Sequence, residues 1–185
     1  MKKIFCIWLI LFTAVVVNAQ QNLTDVNTII KQTCAEAKKE NKKAFIIFHA
    51  SWCIWCHKLD SSINDLSCKK YFDNNYVIAH ITAFEVNEKA ELNTPGAEQF
   101  LAMHHAKDQG IPVWYIFDAD GNLLADSQLR TNGAGVNAEG SNVGCPSNGT
   151  EINYFISVLE KTSSISTEEK DAIQKRFEKN AIEHQ

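Results

Sequence analysis

Two cysteines separated by two residues, Cys53 and Cys56, stand in the run Ser51-Trp52-Cys53-Ile54-Trp55-Cys56-His57-Lys58, directly after the apolar stretch Ala44-Phe45-Ile46-Ile47-Phe48. At the start of a helix such a pair can close a strained, reducible disulfide. The first cysteine is expected to be exposed there, where backbone N–H groups and the helix dipole favour its thiolate. The chemistry on offer is thiol–disulfide exchange, in which a thiolate attacks a disulfide sulfur through a mixed-disulfide intermediate.

The same run also spells the C-x-x-C-H of covalent haem attachment, with His57 as the histidine. Against that reading stand the buried strand before the motif and the element Gly110-Ile111-Pro112 after it, neither of which a small cytochrome requires. Met103 is the only methionine besides the initiator, so a methionine axial ligand has one candidate. Without haem, His57 falls on the first helical turn. There its cation would lower the Cys53 pKa, or the ring would simply be solvated. His104-His105 could be offered as zinc ligands, but a single C-x-x-C lacks a second pair at finger spacing, and adjacent histidines on a helix point in different directions. No metal site is read. Cys34 and Cys68 suit small core positions. Cys145, in a glycine-rich stretch, is the better candidate for a reactive or pairing thiol, with a buried structural role as the plainer alternative.

These residues need elements to hold them. Leu23 to Asn41 has a helical period, with Val26, Ile29, Ile30, Thr33 and Ala37 on one side and Thr24 as its N-cap. Ala44 to Ala50 is apolar throughout and reads as a central buried strand. The helix opening at Cys53 carries Leu59 and Ile63 inward, and a further turn of helix covers Cys68 to Phe72. Tyr76 to Thr82 is the next strand, Glu85 to Asn93 a polar loop. Thr94 then caps a helix that Pro95 begins. Gly110-Ile111-Pro112 leads into the strand Val113 to Phe117, which an Asp-Gly turn folds back into Leu123 to Ala125. Thr131 to Thr150 reads only as a long loop. Glu151 to Lys161 is an amphipathic helix, and Ser166 with Glu169 forms a capping box for a last helix through Ile173 and Phe177. This alternation predicts an α/β fold, a mixed sheet with helices on both faces.

The N-terminus reads as a signal peptide over residues 1–19: Lys2 and Lys3, an apolar core from Ile4 to Val17, and the small-residue site Val17-Asn18-Ala19. About 14 apolar residues fall short of the ~20 of a spanning helix. Residues 20–185 suit a single domain with a full core, placed by export in the periplasm or outside the cell, where disulfides persist. The formal charge of −4 becomes −6 without Lys2 and Lys3, so no basic face for nucleic acid is indicated. Of six cysteines, Cys6 leaves with the signal, and five is an odd number.

Three separated elements together resemble the thioredoxin-like superfamily: the strand ending in Phe48-His49-Ala50-Ser51-Trp52, the motif Cys53-Ile54-Trp55-Cys56, and Gly110-Ile111-Pro112 followed by a strand and an Asp-Gly hairpin. The nearest likeness is to exported bacterial members with a W-C-x-W-C motif. The resemblance implies a thioredoxin-like fold over about 44–127, with a central mixed sheet flanked by helices, and a C-terminal helical extension over about 151–180. It implies Cys53 as the nucleophile and Cys56 as the resolving thiol. Pro112 would be a cis-proline facing the pair, the Ile111 backbone would pair with a bound substrate chain, and Trp52 would be an aromatic wall. Trp55, between the cysteines, is read as facing substrate; for Trp52, core packing is an equal alternative. The implied substrates are protein thiols and disulfides, with no small-molecule cofactor, and a reductase of this kind draws electrons from a membrane-bound partner. The chain departs from the pattern in two places. Ile47 stands where many cytoplasmic relatives bury an aspartate that takes the proton of the resolving thiol, leaving water, His57 or Glu85 for that task. Ile54-Trp55 matches neither the Gly-Pro of reducing thioredoxins nor the Pro-His of oxidising enzymes, so redox direction rests on analogy. A second reading keeps the fold but makes it a client- or partner-binding module using Trp52, Trp55 and Pro112, with the thiols secondary.

Overall fold

The computed structural model describes residues 23–131, 134–136 and 138–182; the expected signal segment lies outside them. Helix α1 spans Val26–Glu40 and is capped by Asp25, not Thr24: the Asp25 carboxylate accepts the N–H groups of Asn27 and Thr28 at 3.0 and 3.2 Å. An aspartate one residue nearer the helix satisfies two orphan donors at once, which a threonine further out cannot reach. Strand β1 is Lys43–His49, followed by α2 (Ile54–Ile63), α3 (Lys69–Asn75) and β2 (Tyr76–Thr82). The polar loop expected over Glu85 to Asn93 holds a 3-10 helix at Asn87–Leu92.

Helix α4 covers Ala97–Met103 and starts later than Thr94-Pro95 suggested, because Pro95-Gly96 forms a turn with Gly96 at φ +80° and the Ala97 N–H bonded to the Thr94 carbonyl. Strands β3 (Val113–Phe117) and β4 (Leu123–Asp126) form the expected hairpin. The stretch read as a loop from Thr131 to Thr150 is partly ordered by pairing. Short strands β5 (Gln128–Leu129) and β6 (Ser141–Asn142) run antiparallel, and α5 begins at Gly149 under an Asn148 cap and ends at Thr162. Helix α6 spans Thr167–Ile182, and its capping box is present: Ser166 N–H donates to Glu169 and Glu169 N–H to Ser166.

The main sheet has the order β2-β1-β3-β4, parallel between β1 and β2 and antiparallel elsewhere. Side chains alternate across it. Phe45, Ile47, Trp114 and Ile116 pack with Leu59, Phe72, Phe155 and Phe177 of α2, α3, α5 and α6 on one face. Ile46, Phe48, Val113 and Tyr115 pack with Ile30, Phe100 and Leu101 of α1 and α4 on the other. The mixed sheet with helices on both faces is thus borne out, and so is the C-terminal helical extension.

Register explains where a site can form. Phe48 near the end of β1 pairs with Val113 at the start of β3, and His49 pairs with Thr82 at the end of β2. The segments after β1, before β3 and after β2 therefore meet at one edge of the sheet.

Candidate active site

Cys53 and Cys56 form a disulfide at the first turn of α2, with Cα atoms 5.2 Å apart. Cys53 is the N-cap: its Sγ accepts the Cys56 N–H at 3.1 Å and its carbonyl accepts the N–H groups of Cys56 and His57. The expectation of an exposed first cysteine is corrected here. Cys53 is only 3% exposed and Cys56 1%, because Ala50, Trp55 and Ile111 close around the pair. What faces solvent is the apolar rim on either side of Cys53, Trp52 at 53% and Ile54 at 66%. The Cys53 sulfur lies 3.5 Å from the Ile111 carbonyl oxygen. In the disulfide this is contact alone; a reduced thiol could donate a hydrogen bond there.

One wall of the site is the Ser51-Trp52 turn, held by residues that follow β2. Ser51 donates its N–H and its hydroxyl to the Glu85 carboxylate, and Lys89 Nζ reaches the Ser51 hydroxyl at 2.9 Å. The Trp52 indole N–H donates to the Phe84 carbonyl at 2.8 Å. Phe84 sits at φ +63°, uncommon for an aromatic residue, and Asn93 bonds to both the Glu85 N–H and carbonyl. Donation from the Ser51 backbone holds the Glu85 carboxyl below its ordinary range. His57 Nε2 lies 2.9 Å from the Ser51 carbonyl oxygen. The two side chains considered for proton transfer, His57 and Glu85, are therefore both engaged in fixing this turn. Ile47 is buried. Two residues on, the His49 ring packs at a tilt against His80, centroids 4.9 Å apart, and His80 Nε2 lies 2.8 Å from the Asp60 carboxylate. Burial first, then the neighbouring His80, pushes the His49 imidazole below the ordinary histidine value.

The opposite wall is the segment Gly110–Pro112, in which the Ile111–Pro112 peptide is cis. Sequence reasoning picked out Ile111 and Pro112 but missed what supports them. The Asn142 side chain of β6 donates to the carbonyls of Gly110 and Pro112 at 3.1 and 3.0 Å. Gln109 in turn accepts the Asn142 N–H at 2.7 Å and donates to the Gly140 carbonyl at 2.8 Å. Two-residue strands carry no periodicity, so β6 was invisible in the sequence. The density of Asn and Gly around it was the only signal. A cleft of about 210 Å³ opens between this wall and α2, bounded by Trp55, Pro112, Asn142, Cys145 and Glu151. Trp55 is half-buried. It packs against both the disulfide and the core, with Lys58 Nζ 5.0 Å from its ring centre.

The other cysteines among the described residues, Cys34, Cys68 and Cys145, are buried. Cys145 accepts from the Asn180 amide at 3.4 Å, and burial pushes its thiol up to about 12; a thiol so rarely ionised is a poor nucleophile. Burial likewise raises Cys34 and Cys68. His104 packs on Phe100 and Tyr115, whereas His105 is exposed at φ +56°, so the two point apart. Among the described residues no group of three His, Cys, Asp or Glu side chains could hold a metal ion.

A disulfide-linked C-x-x-C at the start of a helix, set on a mixed four-stranded sheet with helices on both faces, defines a thioredoxin-like protein. The family described as Thioredoxin-like domain matches residues 30–129, more than half of the chain, and the chain belongs to it. No curated protein matches closely enough to count as a relative. Among solved structures, a disulphide isomerase from Xylella fastidiosa Temecula1 is 18% identical with a TM-score of 0.45, covering 90% of this chain and 98% of that one. The oxidised C-terminal domain of DsbD from Neisseria meningitidis is 16% identical with a TM-score of 0.43, covering 76% and 97%. A DsbH oxidoreductase is 17% identical with a TM-score of 0.39, covering 75% and 83%. Likeness this slight carries nothing further.

Proposed function

We propose that the protein is an exported thiol–disulfide oxidoreductase acting on protein disulfides through Cys53 and Cys56. The observation that carries this is the Cys53–Cys56 disulfide at the first turn of α2, with Cys53 against the Ile111 carbonyl. In the reducing direction the Cys53 thiolate attacks one sulfur of a substrate disulfide, forming a mixed disulfide and releasing the other sulfur as a thiolate, which takes up a proton. The Cys56 thiolate then attacks the Cys53 sulfur and releases the second substrate sulfur in the same way. Two electrons and two protons pass to the substrate, and the enzyme is left as the disulfide. An extended substrate segment pairs with the Ile111 backbone beside Pro112, flanked by Trp52 and Trp55, with His57 modulating the nucleophile from the neighbouring turn. Reductase turnover requires a donor of electrons, and a membrane-bound electron-transfer partner fits an exported location. No helix among the described residues is long and apolar enough to cross the membrane itself.

The test is insulin reduction with dithiothreitol as electron source. Cys53→Ala is expected to fall to the uncatalysed rate, and full retained activity would refute the reading. Direction follows from the equilibrium potential of the pair against glutathione: about −270 mV marks a reductase and about −120 mV an oxidant. A second reading, a client-binding module with secondary thiols, draws on the low exposure of Cys53 between the exposed Trp52 and Ile54. Client binding unchanged in the Cys53→Ser, Cys56→Ser double variant would favour it.

A further inference from the structure

The arm between β4 and α5 meets the Gly110–Pro112 wall through one side chain. The Asn142 amide donates to the carbonyls on either side of Ile111, those of Gly110 and Pro112, while its oxygen accepts the Gly144 N–H at 3.1 Å. With two acceptors on one end and a donor on the other, only one orientation of the amide satisfies every partner. The arm also comes close here: Gly144 has φ +52°, and a Cβ on it would lie 3.3 Å from the Pro112 carbonyl oxygen. Ile111 between the two clamped carbonyls is left unpaired, its N–H having no hydrogen-bond partner among the described residues and its carbonyl meeting only the Cys53 sulfur.

We propose that Asn142 is a positioning residue for polypeptide substrates. It occupies the two flanking carbonyls, so that Ile111 alone presents a donor and an acceptor to an incoming extended chain. It also holds that edge rigid, so the ordering cost is met before binding. This rests on the reading of Cys53 as a nucleophile toward protein disulfides. A small disulfide, which has no strand to pair with Ile111, gains much less from the same clamp. Asn142 thereby sets a preference for extended polypeptide disulfides over small ones. Gln109 supports the arrangement from behind by bonding to the Asn142 N–H and the Gly140 carbonyl.

The experiment measures kcat and KM of the wild type, Asn142→Ala and Asn142→Asp with insulin and with bis(2-hydroxyethyl) disulfide, which has no peptide groups, together with the potential of the Cys53/Cys56 pair. Asn142→Asp keeps the shape but turns the donor into an acceptor facing two carbonyls, so it is the more severe change. The expected result is a rise in KM for insulin of about tenfold with kcat within about twofold, the scale of one to two lost hydrogen bonds. The ratio of kcat/KM for insulin to that for bis(2-hydroxyethyl) disulfide falls by a similar factor, and the potential does not move. A wild-type ratio in both variants overturns the proposal while leaving the reading of the site intact. So does a shift of the potential in step with activity, or a failure of both variants to fold, which would assign Asn142 a structural role only. If the wild type exchanges with neither disulfide, the reading of the site fails and the proposal falls with it.

Discussion

The two walls that enclose the disulfide are held by different chemistry. The Ser51-Trp52 wall depends on charge: the Glu85 carboxylate accepts two Ser51 donors, and Lys89 reaches the same hydroxyl. The Gly110–Pro112 wall is held by neutral amides, Asn142 and Gln109. Further back, Asp126 and Arg130 form a buried bidentate pair at 2.7 Å. Arg130 also donates to the carbonyls of Gln128, Val136 and Ala138 and so ties these points of the arm together. Gly140 passes so close beneath it that a Cβ there would lie 2.8 Å from the Arg130 side chain. One wall should thus respond to pH and the other to the integrity of an arm distant in sequence from Cys53 and Cys56.

The largest effect is expected from Asp126→Ala. It leaves Arg130 buried without its partner, which costs about 3–5 kcal/mol. Urea unfolding should show a loss on that scale together with a raised KM for insulin; a loss below about 1 kcal/mol would mean the pair does not anchor the arm. Glu85→Gln tests the other wall by pH. The folded carboxyl titrates below its ordinary value, so its contribution is present at neutral pH and is lost as pH falls through that lowered value. The urea midpoints of wild type and variant should therefore differ at pH 7, and the gap should narrow as pH falls below the ordinary Glu value of about 4.3. A gap that persists in acid would show that charge is not what holds the Ser51 turn. The smallest effect belongs to Asp120→Asn at the tip of the β3–β4 hairpin. It breaks only an exposed contact with Lys38 at 2.8 Å and should leave insulin turnover unchanged, since exposed pairs contribute little. A measurable change would mean the walls are not the only elements that support the site.

The main sheet was legible because its strands are apolar runs bounded by turn residues. Tyr76–Thr82 and Val113–Phe117 fall where the pattern placed them, and Leu59, Ile63, Ile173 and Phe177 are buried as their helical spacing required. Helix starts were less legible. Competing caps lie within one or two residues, and the choice between Thr24 and Asp25, or between Thr94 and Gly96, depends on where the preceding chain enters. The arm was read as a loop because β5 and β6 are two residues each and are held by side chains far away, such as the Trp114 indole N–H bonded to the Gly144 carbonyl at 2.8 Å.

By itself the sequence determined the chemistry on offer: a C-x-x-C pair opening a helix after a buried strand, and a Gly-Ile-Pro segment leading into another strand. Local spacing suffices for that, since a disulfide between residues three apart closes within a single helical turn. The tertiary structure decided what surrounds the pair. The pairing of Phe48 with Val113 and of His49 with Thr82 brings Cys53 within contact of Ile111, 58 residues away, and sets Glu85 under Ser51. It buries a cysteine expected to be exposed and places Asn142 behind Ile111. None of these contacts lies within a helical turn or a hairpin, so only the assembled sheet, which fixes distant segments at one edge, could produce them.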